Sequence, residues 1–463
     1  MPPLGPPYAE PPDRPPVPQF PPGPPEQWPT PPPTLPGPAP PVAPTRWIDD
    51  PKHRTVVWGA VVIVFAIIVG GLLGASVARD RPELTAAPST TSDPSSATSS
   101  DDSESESDRG TTTTTEPESL EEVVLEIQEF VERERGLQFE EPVDVTLAGE
   151  DDFNAQLLED FDEMQTSLVE GQQVLSALGL IPSDFDLIEE ERALLSIGVV
   201  GFYDPETKEL VVKGTEITPF VRTVLAHELT HALDDQWFDL DRPELDNPDD
   251  ESSFGFLALV EGNARRVEDA YLASLSTDEQ IEAIEEEERL LFEHPEIFDL
   301  PPVLLTLLQA PYEEGPPLVD DLLDTGGQSR LDGSFAAPPL TSEQVFDPEL
   351  YVAGEGAVAV PAPAADGEAA HVGVLGALVL REMLFDSLPS SAQVQRAIAG
   401  WGGDSYVTWI DSAGKACLRD TFVGDTPGDT LELVQAITEW GADHDAVVDA
   451  PTDGPATFTV CAE

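Results

Sequence analysis

Residues 224–237, VLAHELTHALDDQW, restrict this chain to folds that can place a metal ion against a helix. His227 and His231 lie four residues apart, so on a helix both imidazoles leave the same face and can bind one ion. Glu228 stands beside them, where a carboxylate can accept the proton of a water that the metal activates. Three protein ligands and an open position for water are typical of a catalytic Zn²⁺ site. The segment therefore predicts two zinc ligands and a general base within five residues.

The residues before this motif favour a helix. Thr218 suits the N-cap position and Pro219 the first helical position, and apolar residues precede His227 on the same helical face. The alternative is an amphipathic helix that carries two histidines by chance. Because the chain has only 6 His among 463 residues, we favour the metal site.

A third metal ligand is expected from the next helical segment, residues 254–272, which contains Glu261. On a helix Glu261 shares one face with apolar residues, and a carboxylate in an apolar stripe is costly unless a cation compensates its charge. Zn²⁺ held by two neutral imidazoles is such a cation. The alternative is a buried ion pair with Arg265 or Arg266, about one turn further along the helix.

Three more carboxylates are candidates for orienting a ligating histidine. Glu268 lies two turns beyond Glu261 and can accept the second ring N–H of a histidine ligand. Asp234 and Asp235 can do the same from the metal helix itself. A solvated carboxylate is the favoured interpretation for Glu268 and Asp234, whereas for Asp235 the two interpretations are balanced.

The charge balance excludes one class of partner. The chain has 22 Lys and Arg residues against 90 Asp and Glu residues, which gives a formal net charge of −68. Such a surface repels the phosphate backbone, so we expect no nucleic-acid partner. A solvated, salt-tolerant exterior is the usual consequence of this acidity.

The first quarter of the chain is biased in composition. Residues 1–50 are Pro-rich and predict a disordered cytoplasmic tail, either a passive spacer or a polyproline ligand for a cytoplasmic partner. Residues 51–80 predict a single transmembrane helix, because the uncharged stretch 55–78 would span about 36 Å as a helix. Flanking charges favour an N-terminus inside the cell. Residues 81–118, rich in Ser, Thr and acidic side chains, predict a disordered stalk that carries an extracellular domain, residues 119–463.

The pattern of the C-terminal domain predicts helices with a few strands. Ser119 and Glu122 suit a capping box at the start of a first helix. A hairpin of residues 196–203 and 209–213 is expected directly before the metal helix, where an edge strand can hold extended substrate. Further strands are expected at residues 143–147, 401–411, 415–424 and 456–461, and further helices at residues 372–388 and 429–440. Residues 278–310 predict a very acidic helix followed by apolar turns.

Two other features of this domain carry predictions. Residues 315–345 are rich in Gly, Pro and polar groups and predict a loop at the rim of a cleft. Cys417 and Cys461 are expected to pair if this region lies outside the cell. The alternative for the cysteines is two unpaired thiols.

The segments around His227 and Glu261 resemble those of a family of largely uncharacterised bacterial zinc metallopeptidases of the gluzincin type. That family reads HExxHALQDQ and then ALVEGDA, and this chain reads HELTHALDDQ and then ALVEGNA. Further similar blocks are PYEEGPPLVDDLLDTGG, PPLTSEQVFDPELY and WGGDSY, so the resemblance covers the chain from about residue 119 to its end. It implies that His227, His231 and Glu261 are Zn²⁺ ligands. It also implies that Glu228 is the general base.

Three positions depart from the family pattern. Asp234 stands where glutamine is usual, Asn263 where aspartate is usual, and Asp347 where histidine is usual. None of them is a proposed ligand, but the last departure leaves open which residue stabilises the transition state. The candidate donors are Tyr271, Tyr312, Tyr351, His294 and His371.

The sequence therefore predicts an α+β fold, a mainly helical zincin-like metallopeptidase domain with a small sheet, preceded by a single transmembrane helix and disordered tails. We expect this domain to use Zn²⁺ to hydrolyse peptide or protein substrates outside the cytoplasm. The alternative is a catalytically weak, zinc-stabilised ectodomain that binds cell-wall or protein partners without turnover.

Overall fold

The computed structural model describes residues 119–463 apart from residues 160, 246–249, 386, 389 and 452–453. The predicted Pro-rich tail, transmembrane helix and acidic stalk, residues 1–118, lie outside the described residues. Within the described part of the chain, none of the helices combines the length and the apolarity needed to span a bilayer. This part is mainly helical with small sheets, which confirms the predicted α+β class.

The first half of the described chain ends in two long helices. Its elements are α1 (Leu120–Arg135), β1 (Asp144–Ala148), α2 (Glu150–Leu157), α3 (Gln165–Ala177), α4 (Leu187–Gly198), β2 (Gly201–Tyr203), β3 (Glu209–Lys213), α5 (Pro219–Phe238) and α6 (Ser252–Ser274). At the start of α1, Ser119 and Glu122 form the predicted capping box.

The second half adds further helices and the larger of two sheets. Its elements are α7 (Thr277–Phe292), α8 (Pro302–Gly326), α9 (Gln328–Ala336), α10 (Ser342–Phe346), α11 (Pro348–Ala353), β4 (Ala369–Gly373), α12 (Gly376–Phe385), α13 (Ser391–Ile398), β5 (Trp401–Ile410), β6 (Ala416–Gly424), α14 (Pro427–Gly441), β7 (Val447–Asp449) and β8 (Ala456–Cys461).

The smaller sheet lies beside α5 and has the strand order β1-β3-β2. β1 pairs in parallel with β3 and β2 pairs antiparallel with it, so β2 forms one edge. The predicted bounds of β3 are confirmed, but the first strand of the predicted hairpin is wrong at its start. Residues 196–198 complete α4, because Leu194 and Leu195 are buried on that helix and extend its packed length.

The central core packs around α5. Almost every residue of α5 from Phe220 to Asp235 is buried, as expected for a helix that is covered on all of its faces. α1 packs against it through Ile127 and Val131, and α6 through Val267 and Tyr271. The histidines of α5 therefore lie inside the domain.

The prediction of a loop at residues 315–345 is wrong. α8 continues to Gly326, and α9 and α10 follow it. Prolines lie inside α8, among them Pro316 and Pro317, and each removes a backbone hydrogen bond. Leu318 and Leu322 are fully buried against α6, and burial of such a side chain contributes about 2 kcal/mol. Tertiary packing thus outweighs the poor helix propensity of this segment.

The larger sheet has the order β4-β5-β6-β8-β7 and is antiparallel throughout. Its three central strands and α14 lie where the sequence predicts them, and helices α12, α13 and α14 cover one face around Trp401 and Trp440. Cys417 and Cys461 form a disulfide between opposed positions of β6 and β8, which confirms the predicted pairing. The described residues form two sheets, where a single small sheet is predicted.

Candidate metal centre

α5 places both histidines of the motif in the core. The Thr218 side chain accepts the Val221 N–H (3.2 Å) as the N-cap, and Pro219 occupies the first turn, as predicted. His227 and His231 are both buried, and their ring centroids are 4.7 Å apart. Their spacing of one turn thus brings two imidazoles to one side of α5.

Glu261, on α6, meets both rings. Its Oε2 atom lies 3.1 Å from Nε2 of His227 and 3.4 Å from Nε2 of His231. One ligand atom from each of the three residues lies within 4.8 Å of the others, and all three side chains are buried. The three residues can therefore hold a metal ion.

The alternative for Glu261, an ion pair within α6, does not describe this site. Arg265 lies 3.1 Å from Asp269 on its own helix, and Arg266 lies 3.7 Å from Asp320 on α8. Both guanidinium groups therefore have carboxylate partners other than Glu261. The carboxylate of Glu261 faces the imidazoles instead.

Glu268 is buried and contacts the far side of His227, so the favoured interpretation of a solvated carboxylate is wrong for this residue. Its Oε2 atom lies 3.1 Å from Nδ1 of the ring, while Nε2 faces Glu261. A neutral imidazole donates from one nitrogen only, so a ring between two carboxylates needs either a second proton or a neighbouring cation. Burial would lower the pKa of His227, but its hydrogen bonds with Glu261 and Glu268 and their charges raise it to about 10. The two carboxylates thus favour a positive charge at the ring of His227, either as a second proton or as a bound cation.

The carboxylate of Glu261 stays ionised in this environment. Burial would raise its pKa, but the charges of His231 and His227 and their hydrogen bonds lower it to about 2. An ionised carboxylate in a buried site is stable only beside a positive charge. The donor set therefore has the charge that a divalent cation requires.

Glu228, the predicted general base, is fully buried next to His227. Neither of its carboxylate oxygens has a hydrogen-bond partner among the described residues. Burial raises the pKa of Glu228 to about 7, and the charges of the two histidines offset only part of this effect. A carboxylate whose pKa is close to neutral and whose oxygens have no partner is suited to accept and release a proton.

The edge strand β2 lies directly against this base. A Cβ atom built on Gly201 would lie 3.4 Å from Oε1 of Glu228 and 2.6 Å from a methyl group of Val224. Glycine at this position therefore allows the backbone of β2 to approach the metal helix closely. The edge strand and the base thus line the same part of the site.

Asp234 and Asp235 are both buried, and each has partners other than a ligating histidine, so they are neither solvated nor orienting carboxylates. Asp234 accepts from the Arg135 guanidinium, with Nε to Oδ1 at 2.7 Å. Asp235 accepts from the Lys208 ammonium and the Tyr203 hydroxyl, each at 2.7 Å. Each carboxylate has a cation within reach, and a cation is a stronger partner than a neutral imidazole.

Two of the three departures from the family pattern contact each other. Nδ2 of Asn263 donates to Oδ2 of Asp234 at 2.6 Å. An amide and a carboxylate thus face each other here. The third departure, Asp347, is exposed and caps α11 by accepting the Glu349 N–H.

Among the five candidate transition-state donors, Tyr312 lies at the metal ligands. Its ring centroid is 6.3 Å from that of His227, and its hydroxyl interacts electrostatically with the carboxylates of Glu261 and Glu228. The other four have partners elsewhere: Tyr271 packs on Phe130, Tyr351 donates to the Ala337 carbonyl, His294 pairs with Glu296, and His371 pairs with Glu170.

Arg135 is a residue of this region that the sequence interpretation missed. It lies in the last turn of α1, is fully buried, and pairs with both Asp234 and Asp332. A signal is present in the sequence, because Arg135 follows Ile127 and Val131 at steps of four residues and so extends an apolar helical face. A charged residue on such a face indicates a buried partner of opposite charge.

No family model, no curated protein and no solved structure matches this chain. The chemical character of the site therefore follows from its own atoms. They are two imidazole nitrogens and a carboxylate oxygen that can hold a metal ion, with a second buried carboxylate beside them.

Proposed function

We propose that this protein is a zinc-dependent metallopeptidase of the gluzincin type. One observation carries the proposal: His227, His231 and Glu261 converge on one point, and beside them Glu228 has no hydrogen-bond partner among the described residues. Two imidazoles and a carboxylate that bind one ion, with a free carboxylate next to it, supply the parts of metal-assisted hydrolysis.

The spacing of the donor atoms suits Zn²⁺. Bonds of about 2.0–2.1 Å at tetrahedral angles place two zinc ligands about 3.3 Å apart. The Oε2 atom of Glu261 lies 3.1 and 3.4 Å from the two imidazole Nε2 atoms. Two nitrogen donors with one carboxylate also match catalytic zinc sites, whereas Ca²⁺ and Mg²⁺ prefer oxygen ligands throughout.

The protein residues have separate roles in the proposed reaction. A bound Zn²⁺ supplies Lewis acidity, which polarises the scissile carbonyl and lowers the pKa of water. Glu228 takes a proton from the attacking water onto its carboxylate and then transfers it to the leaving amine. Glu268 holds Nδ1 of His227, which directs the lone pair of Nε2 toward the ion. The edge of β2, next to Glu228, can pair with the backbone of an extended peptide.

The proposed location is outside the cytoplasm, on a membrane anchor at residues 51–80. The apolar, uncharged character of residues 55–78 supports the anchor. The disulfide between Cys417 and Cys461 supports an oxidising compartment for the catalytic domain, because such bonds are rare in the cytosol. Peptide or protein chains outside the cell are therefore the proposed substrates.

The full-length protein and its Glu228→Gln variant test the proposal. The variant should keep its zinc and lose about 10²- to 10⁴-fold in kcat/KM on a peptide library, since the amide cannot accept the proton. Glu191→Gln is the matched control: Glu191 is also buried with a pKa raised to about 7, but it lies on α4 and should not affect activity. Glu261→Ala should lower the zinc content.

Two outcomes would reject the proposal. Full activity of Glu228→Gln would remove the assignment of the base. Zinc at full occupancy in the wild-type protein, without cleavage of any member of a broad peptide library, would favour a zinc-stabilised binding domain instead.

A further inference from the structure

Tyr312, on α8, is a buried residue of the metal centre for which the proposed mechanism has no role so far. Its side chain is buried, and its ring lies 6.3 Å from the ring of His227 at an interplanar angle of 31°. The hydroxyl group makes no hydrogen bond of good geometry with the described residues. Glu261 and Glu228 are its charged neighbours. The hydroxyl therefore lies near the carboxylates of the third ligand and of the base.

A buried hydroxyl with no partner is unfavourable. Such groups are rare in folded proteins, because an unpaired polar atom loses its hydration without a compensating hydrogen bond. A tyrosine hydroxyl has an ordinary pKa of about 10, so near neutral pH the group carries its proton and can act as a donor. The site thus contains a protonated donor that is ready for an acceptor from outside the protein.

A close crossing of α6 and α8 determines where this hydroxyl lies. A Cβ atom on Gly262 would overlap the backbone of Gly315, and a Cβ atom on Gly315 would overlap the carbonyl oxygen of Ala258. The two helix backbones are therefore in direct contact at this pair of glycines. Gly262 follows the ligand Glu261 in the chain, and Gly315 lies three residues, about one turn, after Tyr312. The crossing thus places ligand and hydroxyl at a set distance from each other.

We propose that Tyr312 is a catalytic residue, whose hydroxyl donates a hydrogen bond to the oxygen of the scissile group as negative charge develops on it. This inference rests on the proposed peptidase function. The hydroxyl keeps its proton throughout, so the step is a strengthening hydrogen bond and involves no covalent change at Tyr312. This hydrogen bond stabilises the transition state more than the ground state, because the substrate oxygen gains negative charge in a water-poor site.

The test compares Tyr312→Phe with the wild-type holoenzyme, full-length and loaded with zinc. Removal of one such donor should lower kcat by about 10²- to 10³-fold and leave KM within about threefold. The affinity for a phosphinic peptide, whose tetrahedral oxygens imitate the charged oxygen, should fall by a similar factor. The zinc affinity, measured by competition with a chelator, should stay within about twofold.

Tyr271→Phe is the matched control. It removes the same atom from another buried tyrosine, which packs on Phe130 and interacts with Arg222. Its kcat and its affinity for the phosphinic peptide should equal those of the wild type. Thermal unfolding of both variants shows whether a loss of activity reflects a loss of folded protein.

Three results would overturn the inference. If Tyr312→Phe binds zinc more weakly but binds the phosphinic peptide normally once zinc is saturating, Tyr312 only orients Glu261. If Tyr312→Phe equals the wild type in every measurement, the hydroxyl has no role in the reaction. If the zinc-loaded wild type neither cleaves peptides nor binds the phosphinic peptide, the proposed function itself fails, and this result is distinct from the first two.

Discussion

The Oε2 atom of Glu268 lies 3.1 Å from Nδ1 of His227, on the side of the ring away from Glu261. Glu261 and Glu268 are seven residues apart on α6, so two turns of one helix contact both nitrogens of a ring that belongs to another helix. Both carboxylates are buried. α6 therefore supplies a ligand and also orients a ligand of α5.

Removal of the charge of Glu268 should weaken metal binding. In Glu268→Gln the amide cannot hold the Nδ1 proton of His227 as a carboxylate does, and loss of such an orienting partner typically costs about 10- to 100-fold in metal affinity. Asp269→Asn is the control, because Asp269 pairs with Arg265 of the same helix but does not contact the ring. Competition with a chelator measures both affinities. Equal zinc affinity of the two variants would contradict the orienting role.

A methyl group at the crossing of α6 and α8 should disturb the site from a distance. Gly315→Ala forces the two backbones apart and should cost about 1–3 kcal/mol of unfolding free energy, with a weaker zinc affinity because Glu261 moves with α6. Gly333→Ala is the matched control, since a Cβ atom on this glycine of α9 meets nothing within 4 Å. This control should be neutral or stabilise by up to about 1 kcal/mol. Urea unfolding and zinc titration of the two variants would show whether the crossing matters.

The buried ion pair behind the metal helix should dominate local stability. Arg135 is fully buried beside the stacked rings of Phe238 and Phe335, whose centroids are each 5.6 Å from its guanidinium carbon, and it pairs with Asp234. Arg135→Met leaves a buried carboxylate without its cation and should cost about 3–5 kcal/mol in urea unfolding. Asp162→Asn, which removes the charge of one partner from the exposed ion pair of Asp162 and Arg192, should cost less than about 1 kcal/mol. A loss of similar size in both variants would contradict this role of burial.

Stability should depend on pH through Glu191. Burial raises its pKa from 4.5 to about 7, so the folded protein binds the proton more tightly than the unfolded chain. The contribution of this group is fully present below about pH 4.5, decreases as the pH rises toward 7, and is lost above that value. Relative to the wild type, Glu191→Gln should therefore gain about 3 kcal/mol of unfolding free energy between about pH 4 and about pH 8.

Urea unfolding at these two pH values checks the prediction for Glu191. The control is Glu285→Gln at an exposed position of α7, which removes one negative charge without a change in burial. A pH dependence that is the same in the wild type and both variants would show that Glu191 titrates normally.

Much of the metal centre is predictable because its signals are local. The i,i+4 histidines, the N-cap Thr218 and the proline at the start of α5 all lie within one helix and act over one or two turns. Glu261 is also predictable, since a carboxylate within an apolar stripe requires a cation. The partners of Asp234 and Asp235 are not predictable in this way. They come from α1 and from the hairpin of β2 and β3, which lie far away in the chain.

The loop predicted at residues 315–345 is a second case in which local sequence signals are insufficient, because here they predict a structure that tertiary contacts override. Glycine and proline disfavour a helix locally, and the sequence interpretation used only this local effect. Burial of Leu318 and Leu322 against α6 overrides it in the folded protein. Gly315, which predicts a break in the helix, instead allows the close helix crossing beside Tyr312.

By itself, the sequence determined which residues can bind a metal ion and on which helices they lie, since periodicity and charge along one helix settle those questions. Only the tertiary structure decided that the two helices meet at these side chains, that Glu228 is buried beside them, and that Tyr312 rather than another candidate faces the ligands. The physical reason is distance along the chain. Contacts between helices depend on how whole apolar faces and backbone crossings fit together, and this information is absent from any single segment.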